Sequence, residues 1–116
     1  MYRFHVKNEV RIAELTDKNL VINDPQDFLD MIANLVMNDC SRMIIYETNL
    51  GKEFFDLKIK LAGEILQKCS NYRFKLAITG DFSRYPSKSL RDFIRESNRG
   101  NQVFFVKDLQ EAMERL

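Results

Sequence analysis

Hydrophobic and polar positions alternate in two short runs near the start of the chain, YRFHV and VRIAEL, with the polar KNE between them. A period of two belongs to strands with one covered and one open face, and so short a link predicts an antiparallel hairpin. A third extended piece, Leu20 to Ile22, leads into Asp24-Pro25-Gln26-Asp27. Asp24 can cap free N–H groups there, Pro25 suits the first helical position, and Asp27 complements the helix dipole. Phe28, Leu29, Ile32, Ala33, Leu35 and Val36 then recur at helical spacing. The apolar run RMIIYE reads as a strand covered on both faces. A long helix is expected from about Gly51 to Ser70, a covered strand over FKLAITG, and a helix from about Ser87 to Asn98 that stops at a left-handed Gly100. QVFFV predicts the last strand, and Asp108 with Glu111 a capping box opening the last helix. The alternation implies right-handed crossovers: one α/β domain over residues 1–116, with a mixed, mainly parallel sheet, an N-terminal antiparallel hairpin and about four helices.

Composition narrows the function classes. The chain has 116 residues, 45% hydrophobic and 30% charged, and a net charge of +1 from 18 Lys and Arg against 17 Asp and Glu. That balance gives no global pull toward nucleic acid or an anionic membrane, so charge must be argued locally. The apolar run MIIY is far too short to cross a bilayer and MYRFHVKNEV lacks the apolar core of a signal peptide, so a cytoplasmic protein is expected. Cys40 and Cys69 stand far apart and read as inert thiols. With one histidine in the chain they cannot form a zinc site, and neither metal nor cofactor is expected.

In such sheets ligands bind beyond the carboxyl ends of the strands, where ETNLGKE and GDFSRYPSKS would lie. Neither loop matches a phosphate-binding fingerprint. The second reads first as a helix start: Pro86 forces Tyr85 to be extended, and either Ser87 or Ser89, the latter with Asp92 three residues on, can cap. Beyond it Lys88, Arg91, Arg95 and Arg99 fall on one helical stripe, opposite Leu90, Phe93 and Ile94. With Arg84 this is a local positive patch for an acidic partner or a phosphate, unless it is a solvated face tempered by Asp92 and Glu96. The helix from Phe54 to Cys69 carries an apolar arc wider than one sheet face needs, which suits a neighbouring helix, a partner or a homodimer. Gly63 hints at close backbone approach there. Lys58, inside that arc, should reach the strand ends and pair with Asp81 or Glu47. His5 is expected to be an exposed strand residue opposite Phe4 and Val6 rather than a base. No nucleophile, base and oxyanion set can be assembled.

EFFDLK, LAGEILQK, NYRFKLAITGDFS and SKSLRDFIRESNRG resemble a bacterial family catalogued as domain of unknown function number 4180, over nearly the whole chain. The resemblance implies a stand-alone bacterial cytoplasmic domain and brings no catalytic residues. More distantly the order of elements is similar to the STAS domain of anti-sigma factor antagonists. That likeness implies a switch in which a hydroxyl at the start of the helix after the third core strand is phosphorylated. Here that loop has Thr48 and lacks the acidic-serine-serine-glycine pattern; Ser83, Ser87 and Ser89 are the other hydroxyls near a helix start. The expectation is a non-catalytic regulatory interaction module, with a small anionic-ligand site around Lys58 and Asp81 as the alternative and nucleic acid a distant third.

Overall fold

The N-terminal hairpin closes because both residues of its link, Asn8 and Glu9, adopt left-handed backbone (φ 52° and 67°), the turn geometry whose twist matches paired strands. The computed structural model describes residues 1–55 and 61–116. Strands β1 (Tyr2–Lys7) and β2 (Val10–Leu15) pair antiparallel, Lys7 opposite Val10 and Tyr2 opposite Leu15. A side chain in the left-handed region costs about 1 kcal/mol. Glu9→Gly is therefore expected to raise stability by about 0.5–1 kcal/mol, read as a higher urea midpoint at unchanged slope.

Strands β3 (Arg42–Tyr46), β4 (Lys75–Thr79) and β5 (Val103–Val106) continue the sheet in parallel, giving the order β1-β2-β3-β4-β5. The extended piece before the first helix adds only a one-residue bridge, Ile22 to Leu50. Parallel strands laid down in chain order and in one direction place every right-handed crossover on the same face. Helices α1 (Pro25–Met37), α2 (Lys52–Phe55), α3 (Leu61–Asn71) and α4 (Lys88–Arg99) pack there. Their Phe28, Ile32, Phe54, Ile65 and Cys69 lie on Leu15, Met43, Ile45, Leu76, Ile78 and Phe105 of the sheet. The other face has, among the described residues, only α5 (Leu109–Arg115), whose Ala112 packs with Leu116 over Ile12, Ile44, Ala77, Phe104 and Val106.

Helix starts follow the sequence. The Asp24 carboxylate accepts from the Asp27 N–H (2.8 Å) and Asp108 from that of Glu111 (2.8 Å). The Glu111 carboxylate, however, accepts from Lys107 (3.0 Å), one residue before the N–H that a capping box engages. The Ser87 hydroxyl accepts from Leu90 (3.1 Å), which decides between the two serines. Helix ends need correction. Gly100 has φ −85° and is not left-handed. The left-handed residues are Asp39 (φ 58°) after α1 and Arg73 (φ 52°) after α3. Each lets the following N–H, of Cys40 and Phe74, return to Leu35 and Cys69 carbonyls (2.9 and 2.8 Å), a tight reversal into the next strand. α4 is joined to β5 by Gly100, Asn101 and Gln102, none of them left-handed.

The long helix expected from Gly51 to Ser70 is represented by α2 and α3, and Lys58 lies outside the described residues. Phe54, Ala62, Ile65 and Cys69 are buried in the chain's own core, with Phe55 and Leu66 partly buried against it. Gly63 shows no close approach: a Cβ there would meet nothing within 4 Å. Both cysteines are buried and free, and burial pushes the Cys69 thiol up to about 12. Among the described residues no helix is long and apolar enough to cross a membrane.

Candidate functional site

At the carboxyl ends of β3 and β4 the chain makes two short 3-10 turns, Glu47–Asn49 and Phe82–Arg84. Asp81 holds the second, its carboxylate accepting from the Ser83 N–H (3.1 Å) and hydroxyl (2.5 Å). Those bonds keep the Asp81 carboxyl below its usual range. Next to the turns lies a cavity of about 330 Å³ lined by Glu47, Thr48, Leu50, Gly51, Phe55, Arg84 and Tyr85. Phe55 and Tyr85 stack along it with centroids 4.7 Å apart. Glu47 lies over Gly80 and accepts hydrogen bonds from the Arg84 guanidinium and the Tyr85 hydroxyl. Burial, then the Glu47 carboxylate, push the Tyr85 phenol up.

This geometry redistributes the expected roles. Among the described residues Glu47 has Arg84 as a partner and Asp81 bonds within its own turn without lining the cavity, while the expected pair with Lys58 lies outside the described residues. Thr48 is exposed at the cavity, Ser83 is bound to Asp81, Ser87 caps α4, and Ser89 is exposed. Arg84, expected in the basic patch, is neutralised by Glu47.

The remaining cations share one helix. Lys88, Arg91, Arg95 and Arg99 are exposed on α4, while Leu90, Phe93 and Ile94 face the core. Asp92 serves both Lys88 (3.9 Å) and Arg95 (3.4 Å). Arg91 folds back to the Pro86 carbonyl (3.3 Å). Among the described residues neither Arg91 nor Arg99 has a carboxylate at ion-pair distance, so the expected Glu96–Arg99 pair does not form. Two carboxylates, Asp92 and Glu96, against four cations leave α4 net positive in a nearly neutral protein.

Two polar clusters escaped the sequence reading. Asn49 is fully buried between the loop before α1 and the end of β3. Its amide accepts from the Tyr46 N–H (2.9 Å) and donates to the Asp17 and Leu20 carbonyls (2.9 and 2.8 Å), while its own carbonyl accepts from Ile22 (2.7 Å). On the open sheet face, His5 is not a freely exposed residue. Its Nε2 lies 2.9 Å from Glu14 Oε1, and Tyr46 donates to Glu14 Oε2 at 2.6 Å, a line across β1, β2 and β3. Glu14 is only 5% exposed because these neighbours cover it. The signal was present: a period of two sets Glu14 on the face of Ile12.

Burial would raise the Glu14 carboxyl, but the bonds from Tyr46 and His5 outweigh it and the net shift is downward. Burial, then the Glu14 bond, push Tyr46 up from 10.0 to about 12. A phenol raised on folding lends stability in full below pH 10 and loses it as pH rises to about 12. Glu14, lowered on folding, acts at the other end: its contribution is present above the ordinary carboxylate range and fades as pH falls through its folded value. Urea midpoints measured against pH are expected to decline on both sides, and Tyr46→Phe should remove part of the alkaline decline.

Fold and site together define a small α/β domain whose mixed sheet carries, among the described residues, four helices on one face, one of them the cationic α4. The chain belongs to the family described as "Domain of unknown function (DUF4180)", which matches residues 7–116. Among curated proteins none matches the sequence. Among solved structures, a Thermotoga maritima protein titled a "putative anti-sigma factor antagonist" is similar, with 14% identity, a TM-score of 0.49, and 98% of this chain and 92% of that one covered.

Proposed function

We propose that this protein is a non-catalytic regulatory interaction module that recognises an acidic partner protein through α4. The observation that carries the reading is the stripe of Lys88, Arg91, Arg95 and Arg99, exposed on one helix and paired, among the described residues, with Asp92 alone. Arg84 and Glu47 neutralise each other beside the cavity, which makes that cavity a weaker anion site than the helix. Charged rims of this kind set on-rate and salt dependence. The test is capture from nuclease-treated native lysate with tagged wild type and with Arg91→Glu/Arg95→Glu, whose circular dichroism should match. A stoichiometric protein retained by wild type, weakened at least about tenfold by the double reversal and by added salt, supports the reading. Equal retention by both forms, or retention that vanishes with nuclease, sinks it.

A further inference from the structure

The two edges of the sheet are finished differently. In β5, Phe105 turns its N–H and C=O away from β4, and the Asn98 side chain closes the edge at that residue. Its Oδ1 accepts from the Phe105 N–H (2.7 Å) and its Nδ2 donates to the Phe105 carbonyl (3.3 Å). The amide does what a further strand would do. In β1 the Met1 carbonyl accepts from the Thr16 N–H (2.8 Å), which fixes the alternation. Met1, Arg3, His5 and Lys7 bond toward β2, and Tyr2, Phe4 and Val6 point their N–H and C=O groups outward. Among the described residues no hydrogen bond reaches those outward groups.

Two apolar side chains of this edge are also exposed. Phe4 is 45% and Val6 69% exposed, in one row with Tyr2. The opposite row is Arg3, His5 and Lys7, of which His5 bonds Glu14 and Lys7 donates to the Met113 and Glu114 carbonyls; Arg11 lies over the Phe4 ring (4.4 Å) on that ring's own face. These charges discriminate between occupants. A second copy, pairing antiparallel through Tyr2, Phe4 and Val6, would set Arg3 against Arg3 or Lys7 of that copy in two of the three registers that overlap most of β1. Like charges directly opposite are unfavourable. A strand with acidic residues at those positions meets attraction instead, and its intervening apolar residues cover Phe4 and Val6.

We propose that the open edge of β1 docks an extended segment of a partner protein in which apolar and acidic residues alternate, adding a sixth strand to the sheet. Main-chain bonds supply the affinity and the two side-chain rows the selectivity. The site is separate from α4, and neither proposal depends on the other.

The test follows backbone amides of the isotopically labelled protein by NMR during titration with the end-blocked peptide EVEFEVE, and with KVKFKVK as the charge control. The acidic peptide should shift the Tyr2, Phe4 and Val6 amides and slow their hydrogen exchange, while the basic one should not. Phe4→Pro removes an N–H that faces solvent in the free protein, so the hairpin should persist and binding should be lost. Val6→Asp keeps every backbone group and should weaken the acidic peptide at least about tenfold. No response of those three amides at millimolar peptide, or equal binding of both peptides, overturns the proposal. So does a concentration-dependent dimer abolished by Phe4→Pro in sedimentation, which would give the edge to a second copy.

Discussion

Asn49→Ala is expected to destabilise the protein by about 3 kcal/mol, since three buried side-chain hydrogen bonds are lost at about 1 kcal/mol each. The truncation leaves the Tyr46 N–H and the Asp17 and Leu20 carbonyls facing a space that a methyl cannot satisfy. For a domain whose total stability is of order 5–15 kcal/mol this is a large fraction, and it should lower Tm by about 10–20 °C. Urea unfolding and calorimetry measure it. Asn49→Asp separates bonding from volume: the size is kept, but a carboxylate would face the two carbonyls that now receive an N–H. It should be at least as damaging at neutral pH and should partly recover as the acid protonates. Stability unchanged in both variants would mean that Asn49 does not tie the loop before α1 to the end of β3.

Gly80→Ala is expected to cost about 1–3 kcal/mol, the range for overfilling a close-packed site. A Cβ at Gly80 would stand 2.7 Å from both Cβ and Oε1 of Glu47. The nearer part of Glu47 is fixed to the backbone, so rotating the carboxylate away does not relieve the contact. The side chain must move as a whole, breaking its bonds to Arg84 and Tyr85 and changing the cavity. A double-mutant cycle with Glu47→Gly tests the cause: without the Glu47 Cβ the added methyl should cost much less, a coupling of about 1 kcal/mol or more. Additive effects would place the cost of Gly80→Ala somewhere else.

The two predictions concern residues of opposite legibility. Gly80 stands out in the sequence as a glycine at a strand end, although only the fold shows what approaches it. Asn49 gives no local sign, because a polar residue in a strand-to-helix loop looks the same exposed or buried. Glu14 lies between the two cases, its face readable from the alternation of VRIAEL and its partners not.

Local chemistry determined a good deal. Period-two alternation wrote the hairpin, helical spacing wrote α1 and α4, and Asp24, Pro25 and Asp108 marked helix starts, because strand pleat, helix pitch and capping act over a few neighbouring residues. The α4 stripe was legible for the same reason. Tertiary structure decided whatever depends on residues distant along the chain. It gave Arg84 to Glu47, 37 positions away, and Tyr46 to Glu14, 32 positions away. It gave the left-handed helix ends to Asp39 and Arg73 rather than Gly100. It also capped Phe105 on one sheet edge with Asn98 and left the outward groups of β1 open, a difference that arises only once the strand order is set and each backbone group must find its partner.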